Sequence, residues 1–388
     1  MNKHKRKPLV VALGIACLAA GPARATNGDQ MIGVTATQWG MGGAVVAAPQ
    51  DAGTILSNPA GVAELGIKDM RVDMGFGFLN PPRKANGFES DSDLYMIPSG
   101  AIAFNVNDRL YLGMGMAGLS GMGVDFPDTN AAAGNQAIVT TKQFYKIAPG
   151  FGYKVSDKLS VGAALNIDYQ SLALSNPAYT LPQNQVYGFG LTAGLIYKPS
   201  DALRIGASWV SEQNMSAFHW NTAAGPIEMT MDGPQQFTLG VAFTPRPGLL
   251  VEADIKHIAF SDVLDSVAVS RPAGYVGPIP ASMNFGWDDQ TVFSLGVQME
   301  LNPKTTVRLG LNYGKSPIGP EDVNSNIGSL AVTEKHLSVG LTRKISDKIS
   351  GSLSYMHAFH NQVTSSVAPF NTIELEQNIV NLQLSYKL

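Results

Sequence analysis

The chain has 388 residues, of which 45% are hydrophobic and only 15% charged, and it carries a formal net charge of −3. The charged fraction lies well below the ~25% of ordinary soluble domains, and the abundant aromatic and β-branched residues argue against disorder. Beyond the N-terminus there is no apolar run of the ~18 residues that a membrane-spanning helix requires.

The first 25 residues are typical of a secretory signal peptide. A basic head at 3–7 precedes an apolar stretch at 9–20 that is too short for a membrane anchor, and Ala25 ends a small-x-small cleavage site. Cleavage there would remove five basic residues and no acidic one, and so change the formal charge from −3 to −8. That balance disfavours nucleic acid as a partner. The single cysteine, Cys17, lies within the predicted signal peptide.

Six short segments resemble one another. Each places Asn, Asp, Ser, Pro or Gly in two to four positions between apolar runs, as a tight hairpin requires. They lie at 104–110, 153–159, 197–203, 243–249, 300–306 and 343–349. The spacing predicts a repeated order of strand, long loop, strand and tight turn.

The segments that flank these turns alternate apolar and polar residues with a period of two. After the third turn, Leu203, Ile205 and Ala207 share one face, and Arg204 and Ser208 lie on the other. A soluble sandwich also alternates, but long strands joined by alternately tight and long connections favour an outer-membrane barrel with a polar lumen. In lipid every backbone group must be paired, so these strands are expected to close into a cylinder.

Six internal tight turns, with both ends of the barrel on the same side, imply seven hairpins and hence about fourteen strands. We therefore predict an all-β fold, a transmembrane antiparallel barrel over residues 68–388. Its third strand is predicted at 109–119, and outer loops at 119–141 and 213–233.

Residues 26–67 do not alternate and are rich in Gly and Ala. Asn58 followed by Pro59 predicts a helix start, because the Asn side chain accepts a free backbone N–H and proline has none to leave unpaired. About forty such residues ahead of the first strand suit a compact, mostly helical hatch (plug) inside the lumen. A periplasmic tail or linker is the alternative.

Within this stretch Trp39-Gly-Met-Gly-Gly-Ala44, Asp51-Ala52 and Ser57-Asn-Pro-Ala60 resemble the N-terminal signature of the FadL/TodX (OmpP1) family of outer-membrane transport proteins. The resemblance implies a hatch inside a fourteen-stranded barrel, with a hatch motif of Gly42, Gly43, Asp51, Asn58, Pro59 and Ala60. It further implies passive uptake of long-chain fatty acids or of related aromatic and aliphatic hydrocarbons across the outer membrane of a Gram-negative bacterium.

The family is thought to release its substrates sideways, where the third strand kinks inward. This chain has five glycines within 110–123, and glycine inside a strand often marks a bulge or bend. We predict a kink and lateral opening at Gly113, Gly115 and Gly118. Alternatively, Gly113 and Gly115 only make room for hatch side chains.

Candidate ligand contacts fall into two groups. Met122, Phe126, Phe218 and Trp220 in the outer loops offer a first apolar surface, and lumen cations at Arg204, Lys256 and Arg308 could hold a carboxylate. Exposure at the lipopolysaccharide boundary is the alternative for the first group. Pairing with the hatch or with lumen acids is the alternative for the second.

The sequence contains no Gly-x-Ser-x-Gly, P-loop or His-Glu-x-x-His motif. His357 and His360, three apart on a strand, are expected to face opposite ways. We therefore expect a channel without catalytic residues, cofactor or metal. It would function as a monomer in contact with outer-membrane lipid, lipopolysaccharide and the barrel-assembly machinery. An open general porin and an outer-membrane lipid hydrolase are the alternatives.

Overall fold

The computed structural model describes residues 27–127 and 137–388, so the predicted signal peptide lies outside the described residues. Fourteen long strands, each paired with its chain neighbours, form one antiparallel sheet, which the short strands Arg83–Ala85, Phe88–Glu89 and Asn214–Met215 also join. The long strands are β1 Met70–Asn80, β2 Tyr95–Asn105, β3 Leu110–Phe126, β4 Ile138–Lys154, β5 Leu159–Ser175, β6 Thr180–Ser200, β7 Leu203–Val210, β8 Gln236–Arg246, β9 Leu249–Ile258, β10 Gln290–Asn302, β11 Thr305–Gly314, β12 Lys335–Lys344, β13 Ile349–Thr364 and β14 Thr372–Lys387. Because β1 pairs with both β2 and β14, the sheet closes into a barrel. The predicted closure and strand number are confirmed.

The period-two alternation places apolar side chains on the outside of the barrel. In β1, Met74, Phe76 and Phe78 are 42–61% exposed, whereas Gly75 and Gly77 between them face inward, towards Ser99 and Asn381. A continuous band of exposed apolar side chains is stable against lipid and not against water. Within the two described stretches, every helix is too short or too polar to cross a membrane.

Tight turns lie at one end of the barrel and longer connections at the other. The tight turns cover 106–109, 155–158, 201–202, 247–248, 303–304 and 345–348, which are the six predicted positions. At the opposite, long-loop end, a small sheet is built from Phe218–Thr222, Gly225–Met229, Ser266–Ser270 and Ser282–Asn284. Its buried apolar side chains form one cluster with those of the surrounding loops.

Strand β3 is longer than predicted. It continues to Phe126, since its backbone goes on pairing with β4 as far as Ile138. The prediction that the outer loop begins near residue 119 is therefore wrong, and residues 119–126 belong to the barrel wall.

The residues ahead of β1, 27–67, form what we call the N-terminal segment. It has three short helices, α1 Ala36–Gly40, α2 Thr54–Ser57 and a 3-10 helix at Pro59–Glu64. Helix α1 contacts β11 to β14, and the 3-10 helix contacts β3 to β6 on the other side of the barrel. The segment therefore crosses the lumen, but the prediction that it is mostly helical is wrong. In its central part the backbone N–H groups bond to side chains of the barrel wall and not to helical carbonyls.

Candidate functional site

Two carboxylates of β9 hold the centre of the N-terminal segment. Asp254 Oδ2 accepts hydrogen bonds from the backbone N–H groups of Val45 and Val46, at 2.8 and 3.1 Å. Glu252 Oε1 accepts those of Ala47 and Ala48, at 2.6 and 3.0 Å. Two residues apart on a strand, the acids share the inner face, so one strand satisfies four successive N–H groups of a non-helical stretch.

Asp51 of the hatch motif lies fully buried in a hydrogen-bonded network. Its Oδ2 accepts from the hydroxyls of Thr35 (2.6 Å) and Thr37 and from Gln383 Nε2 of β14 (3.1 Å). Burial and the charge of nearby Asp73 raise the pKa of Asp51, although Arg71 and the hydrogen bonds oppose the rise. The network joins the segment to the seam where β14 meets β1.

Asn58 caps the 3-10 helix and also binds the wall. Its Oδ1 accepts from the Ala60 N–H at 3.2 Å, and its Nδ2 donates to the carbonyls of Val46 (2.6 Å) and Leu195 (3.2 Å). The wall residue that faces Asn58 is Gly194, and a Cβ there would collide with the Asn58 side chain. Asn58 therefore fixes three backbone groups at once.

Replacing Asn58 by alanine should lower the stability of the folded barrel. The Val46 carbonyl would stay buried without a donor, at a cost of about 1–3 kcal/mol. We expect a lower midpoint of thermal unfolding in detergent. Ser57→Ala, next to it but only half-buried, is the control, and an equal shift in both variants would contradict this account of Asn58.

Glycines allow close contact between the N-terminal segment and the barrel wall, both in the hatch motif and in β3. Gly42 has a φ of +65° and lies against the backbone of Leu311 on β11. A Cβ at Gly115 would lie 2.7 Å from Ile55 and 2.8 Å from Leu56 of α2, and Gly113 also faces Ile55. Gly113 and Gly115 thus make room for the segment's side chains, as the alternative interpretation held.

The barrel wall separates between β2 and β3, further towards the long-loop end. The ladder between these strands ends at the pair Ser99 and Ala117, although both strands continue beyond it. Pro98, next in line on β2, has no N–H to donate. Beyond Ala117, β3 pairs on this edge with no part of β2 that the structure describes.

The N-terminal segment takes the place of β2 beside this part of β3. A bulge lies between Gly118 and Ser120 in the pairing with β4. The Leu119 carbonyl at the bulge accepts the Met31 N–H at 2.9 Å, and the Gly121 N–H donates to the Asp29 carbonyl at 3.3 Å. At this edge the N-terminal segment, and not β2, therefore supplies backbone hydrogen-bond partners to β3.

A buried ion pair holds this junction together. Lys142 Nζ of β4 lies 2.8 Å from Asp29 Oδ2, and both side chains are almost fully buried. The hydroxyl of Ser120 donates to the same oxygen at 2.6 Å, and Gln30 Nε2 donates to Asp29 Oδ1 at 2.7 Å. The first residues of the described segment are thus fastened to β3 and β4 at the point where the wall separates.

Three cavities share Lys142 as a lining residue. A mouth cavity of about 400 Å³ lies under the outer loops and is lined by Met122, Met229, Met231, Met283 and Phe285 among others. A wall cavity of about 240 Å³ lies between β2 and β3. A lumen cavity of about 90 Å³ lies over the N-terminal segment. Lys142 lines all three.

The wall cavity has walls from both sides of the barrel. Met96 and Gln143, whose side chains are exposed on the outside, line it together with Met31 of the segment and the buried Ser120 and Lys142. Gly118 forms part of its rim, since a Cβ there would lie 3.1 Å from Ile97. The cavity is therefore lined by side chains from both faces of the barrel wall.

The structure separates the predicted ligand contacts. Met122 lines the mouth and wall cavities, and Lys256 lines the lumen cavity. Phe126, Phe218 and Trp220 are buried inside the loop cluster, where Trp220 stacks on Phe218 with ring centroids 5.5 Å apart. They support the loops and do not form an exposed first surface.

The two predicted arginines lie elsewhere in the lumen. Arg308 packs beside Gly40 of the segment and donates to Thr342 at 2.7 Å. Arg204 lies in one cross-strand row with Ala242 and Glu252. Within the described ranges, neither arginine lines any of the three cavities, and no three His, Cys, Asp or Glu side chains are grouped closely enough to hold a metal ion.

Sequence reasoning missed Asp29, Lys142 and the methionines of the mouth other than Met122. Asp29 lies in a short polar run without a motif, and its partner Lys142 is 113 positions away along the chain. One signal was available: Lys142 and Lys146 lie four positions apart, and so on the same face, of a strand whose inner face is otherwise largely uncharged.

A closed barrel with an apolar outside, a segment across its lumen and cavities at its mouth and wall defines an outer-membrane β-barrel transport protein. The chain belongs to the family described as outer membrane protein transport protein (OMPP1/FadL/TodX), whose profile matches residues 16–378. This family consists of transport proteins. No individual curated protein matches the chain.

Solved structures share the fold at low sequence identity. A FadL homologue of Pseudomonas aeruginosa superposes with a TM-score of 0.78 at 13% identity, over 93% of this chain and 99% of that one. The toluene transporter TodX of Pseudomonas putida gives 0.74 at 18% identity, over 94% and 100%. The toluene transporter TbuX of Ralstonia pickettii gives 0.73 at 17%, over 92% and 98%.

Proposed function

We propose that this protein takes up hydrophobic small molecules passively across the outer membrane, as a monomer and without a cofactor. Long-chain fatty acids and related hydrocarbons or aromatics are the candidate substrates. Residues 26–67 are the hatch of a barrel formed by 68–388, exported by a signal peptide at 1–25. The observation that carries the proposal is the wall cavity, which shares the lining residue Lys142 with the lumen and mouth cavities.

The route begins in the mouth cavity. Its methionine side chains are flexible and polarisable, so they fit apolar solutes of varied shape. Transfer of an apolar solute from water into such a cavity is favourable by roughly 25 cal/mol per Å² of buried apolar surface. No energy source is needed, because the solute moves from one apolar environment to the next. The names of TodX and TbuX, two toluene transporters of the same fold, agree with this class of solute.

The route ends between β2 and β3, in the lipid. The hatch blocks a straight path along the barrel axis, whereas the wall cavity leads to Met96 on the lipid-facing side. A hydrophobic solute that leaves sideways avoids the aqueous periplasm and its unfavourable hydration. The long barrel strands thus supply the frame, and the interrupted ladder supplies the exit.

Gly118→Phe tests the lateral exit. The added ring would fill the wall cavity between Ile97 and Tyr145, and we expect uptake of labelled laurate or dodecane by intact cells to fall by at least about tenfold. Gly100→Phe, on β2 with no side chain within 4 Å of an added Cβ, is the matched control. Both variants should still show the heat-dependent gel migration of a folded barrel.

Unchanged uptake by a correctly folded Gly118→Phe variant would refute lateral release.

Planar-bilayer recordings of the unaltered protein distinguish the plugged channel from an open porin. We expect little steady ion current, whereas large stable conductance steps would favour the porin.

A further inference from the structure

A groove lies on the lipid-facing surface of the barrel, close to the seam where β14 meets β1. It has a volume of about 330 Å³ and crosses four neighbouring strands, β12, β13, β14 and β1. Four strands at the usual spacing of about 4.8 Å span roughly 14 Å. Exposed apolar side chains form its sides, namely Met74, Phe76, Leu341, Leu353, Leu382 and Leu384. The groove is therefore long, open and apolar, which suits a hydrocarbon chain.

Gly351 of β13 produces the groove. It faces outward, on the same side of the strand as the exposed Leu353, and its ladder partners are Arg343 of β12 and Leu384 of β14. Among the described residues, a Cβ at this position would have only the tip of Ile345 within 4 Å, at 3.8 Å. The absent side chain leaves a gap between larger neighbours, and atoms beside an unfilled gap lose their dispersion contacts. A lipid chain lying over Gly351 restores those contacts.

The groove runs from the tight-turn end of the barrel towards its middle. Arg343, next to the turn at 345–348, forms one end, and Phe76, in the middle of Met70–Asn80, forms the other. Outer-membrane barrels keep their tight turns on the periplasmic side, so Arg343 lies at the headgroup level of the inner leaflet. A lipid whose headgroup contacts Arg343 can therefore place a chain in the groove.

Arg343 has hydrogen-bond donors available for a ligand. Its Nη1 donates to the hydroxyl of Thr305 on β11, and within residues 27–127 and 137–388 it forms no ion pair. A guanidinium carries five N–H donors in a planar fork that matches a phosphate group. Most of these donors therefore remain for an anion that approaches along the outer surface.

Other cations lie around Arg343 at the tight-turn end. The Lys344 N–H donates to the Lys304 carbonyl at 2.9 Å, so these two residues are neighbours at adjoining strand ends. Lys348 follows in the next turn, and all three lysines are exposed. Asp347 is the one acid in the two turns concerned. The rim beside the groove is therefore positively charged and complements an anionic headgroup.

We propose that the groove binds an anionic glycerophospholipid of the inner leaflet, with its phosphodiester at Arg343 and an acyl chain over Gly351. Charge-assisted hydrogen bonds of this kind are about twice as strong as neutral ones. A headgroup with net negative charge is preferred to a zwitterionic one, because Lys304 and Lys344 repel the ammonium group of the latter. The inference concerns the outer surface of the barrel and does not depend on which solute the channel carries.

Native mass spectrometry of the purified full-length barrel tests this inference, because it counts the lipids that stay bound when detergent is removed. The probes are phosphatidylglycerol and phosphatidylethanolamine with identical acyl chains. We expect the barrel to retain a single phosphatidylglycerol, with an affinity at least about fivefold higher than for phosphatidylethanolamine.

Two variants separate the headgroup contact from the groove. Arg343→Gln should abolish the preference for phosphatidylglycerol, and Arg246→Gln, at the exposed end of β8, is the matched control. Gly351→Leu should fill the groove and lower the retention of both lipids by at least about fivefold. Gly100→Leu, on β2 and outside the groove, should retain them as wild type does. All four variants should keep the heat-dependent gel migration of a folded barrel.

Three results would overturn the proposal. The first is equal retention of the two lipids by the wild type, or wild-type retention in Gly351→Leu. The second is displacement of the lipid by inorganic phosphate at constant ionic strength, which would show a site for the free anion and not for a lipid. The third is a dimer without bound lipid, which would show that a second copy of the chain covers the groove.

Discussion

Replacing Glu252 and Asp254 together by alanine should turn the plugged barrel into an ion-conducting pore. The four N–H groups at 45–48 would lose their acceptors, and each buried unpaired N–H costs about 1–3 kcal/mol. Water entering the lumen would hydrogen-bond to some of these N–H groups and offset part of the free-energy cost. Several kcal/mol would remain, enough to raise the detached population of the segment by more than about a hundredfold.

Planar-bilayer conductance and limited proteolysis measure this release. We expect stable current steps, absent from the wild type, and new cleavage within residues 41–50. Glu300→Ala changes an exposed carboxylate on neighbouring β10 and is the matched control. If the double variant stays closed and resistant to protease, the two carboxylates are not what holds the segment in place.

Lys142→Met should free the first residues of the segment from β3. The change leaves the Asp29 carboxylate buried without its cation, and breaking a buried pair in this way costs about 3–5 kcal/mol. We expect amide hydrogen exchange in residues 27–35 to accelerate by at least about a hundredfold. Asp29→Asn/Lys142→Met strands no charge and should recover most of the protection.

Lys84→Met provides the control for a surface pair. Lys84 and Glu89 are 2.8 Å apart, but their side chains are 39% and 72% exposed, and such pairs contribute about 0–1 kcal/mol. Exchange in residues 27–35 should not change in this variant. Wild-type exchange rates in Lys142→Met would show that the backbone bonds of Met31 and Gly121 suffice without the ion pair.

The pH dependence of this exchange follows from Asp29. Burial by itself raises the pKa of Asp29, but the charge of Lys142 and hydrogen bonds from Lys142, Ser120 and Gln30 outweigh it and hold the pKa below the ordinary 3.8. The pair therefore contributes stability above that value and loses it only as the pH falls through the lower, folded-state pKa. Wild-type protection should stay constant from pH 8 to 4. In Lys142→Met the unpaired carboxylate favours protonation, so protection should return on acidification.

The sequence by itself determined the frame of this protein. A period-two pattern between six tight turns has one solution in lipid, a closed antiparallel barrel, because unpaired strand edges are too costly there. Asn58-Pro59 likewise marked a helix start, since capping depends on neighbouring residues. Each of these features is set by contacts close along the chain or by the solvent.

Only the tertiary structure decided what the lumen contains and where the wall separates. The segment between its short helices takes its backbone partners from Glu252 and Asp254, some 200 positions away, so its own sequence predicts too much helix. The bulge at Leu119 and the ion pair between Asp29 and Lys142 likewise depend on contacts between residues that are distant in the chain. Hydrogen bonds and charges between residues distant in the chain leave no periodic pattern, and they become visible only when the closed barrel brings them together.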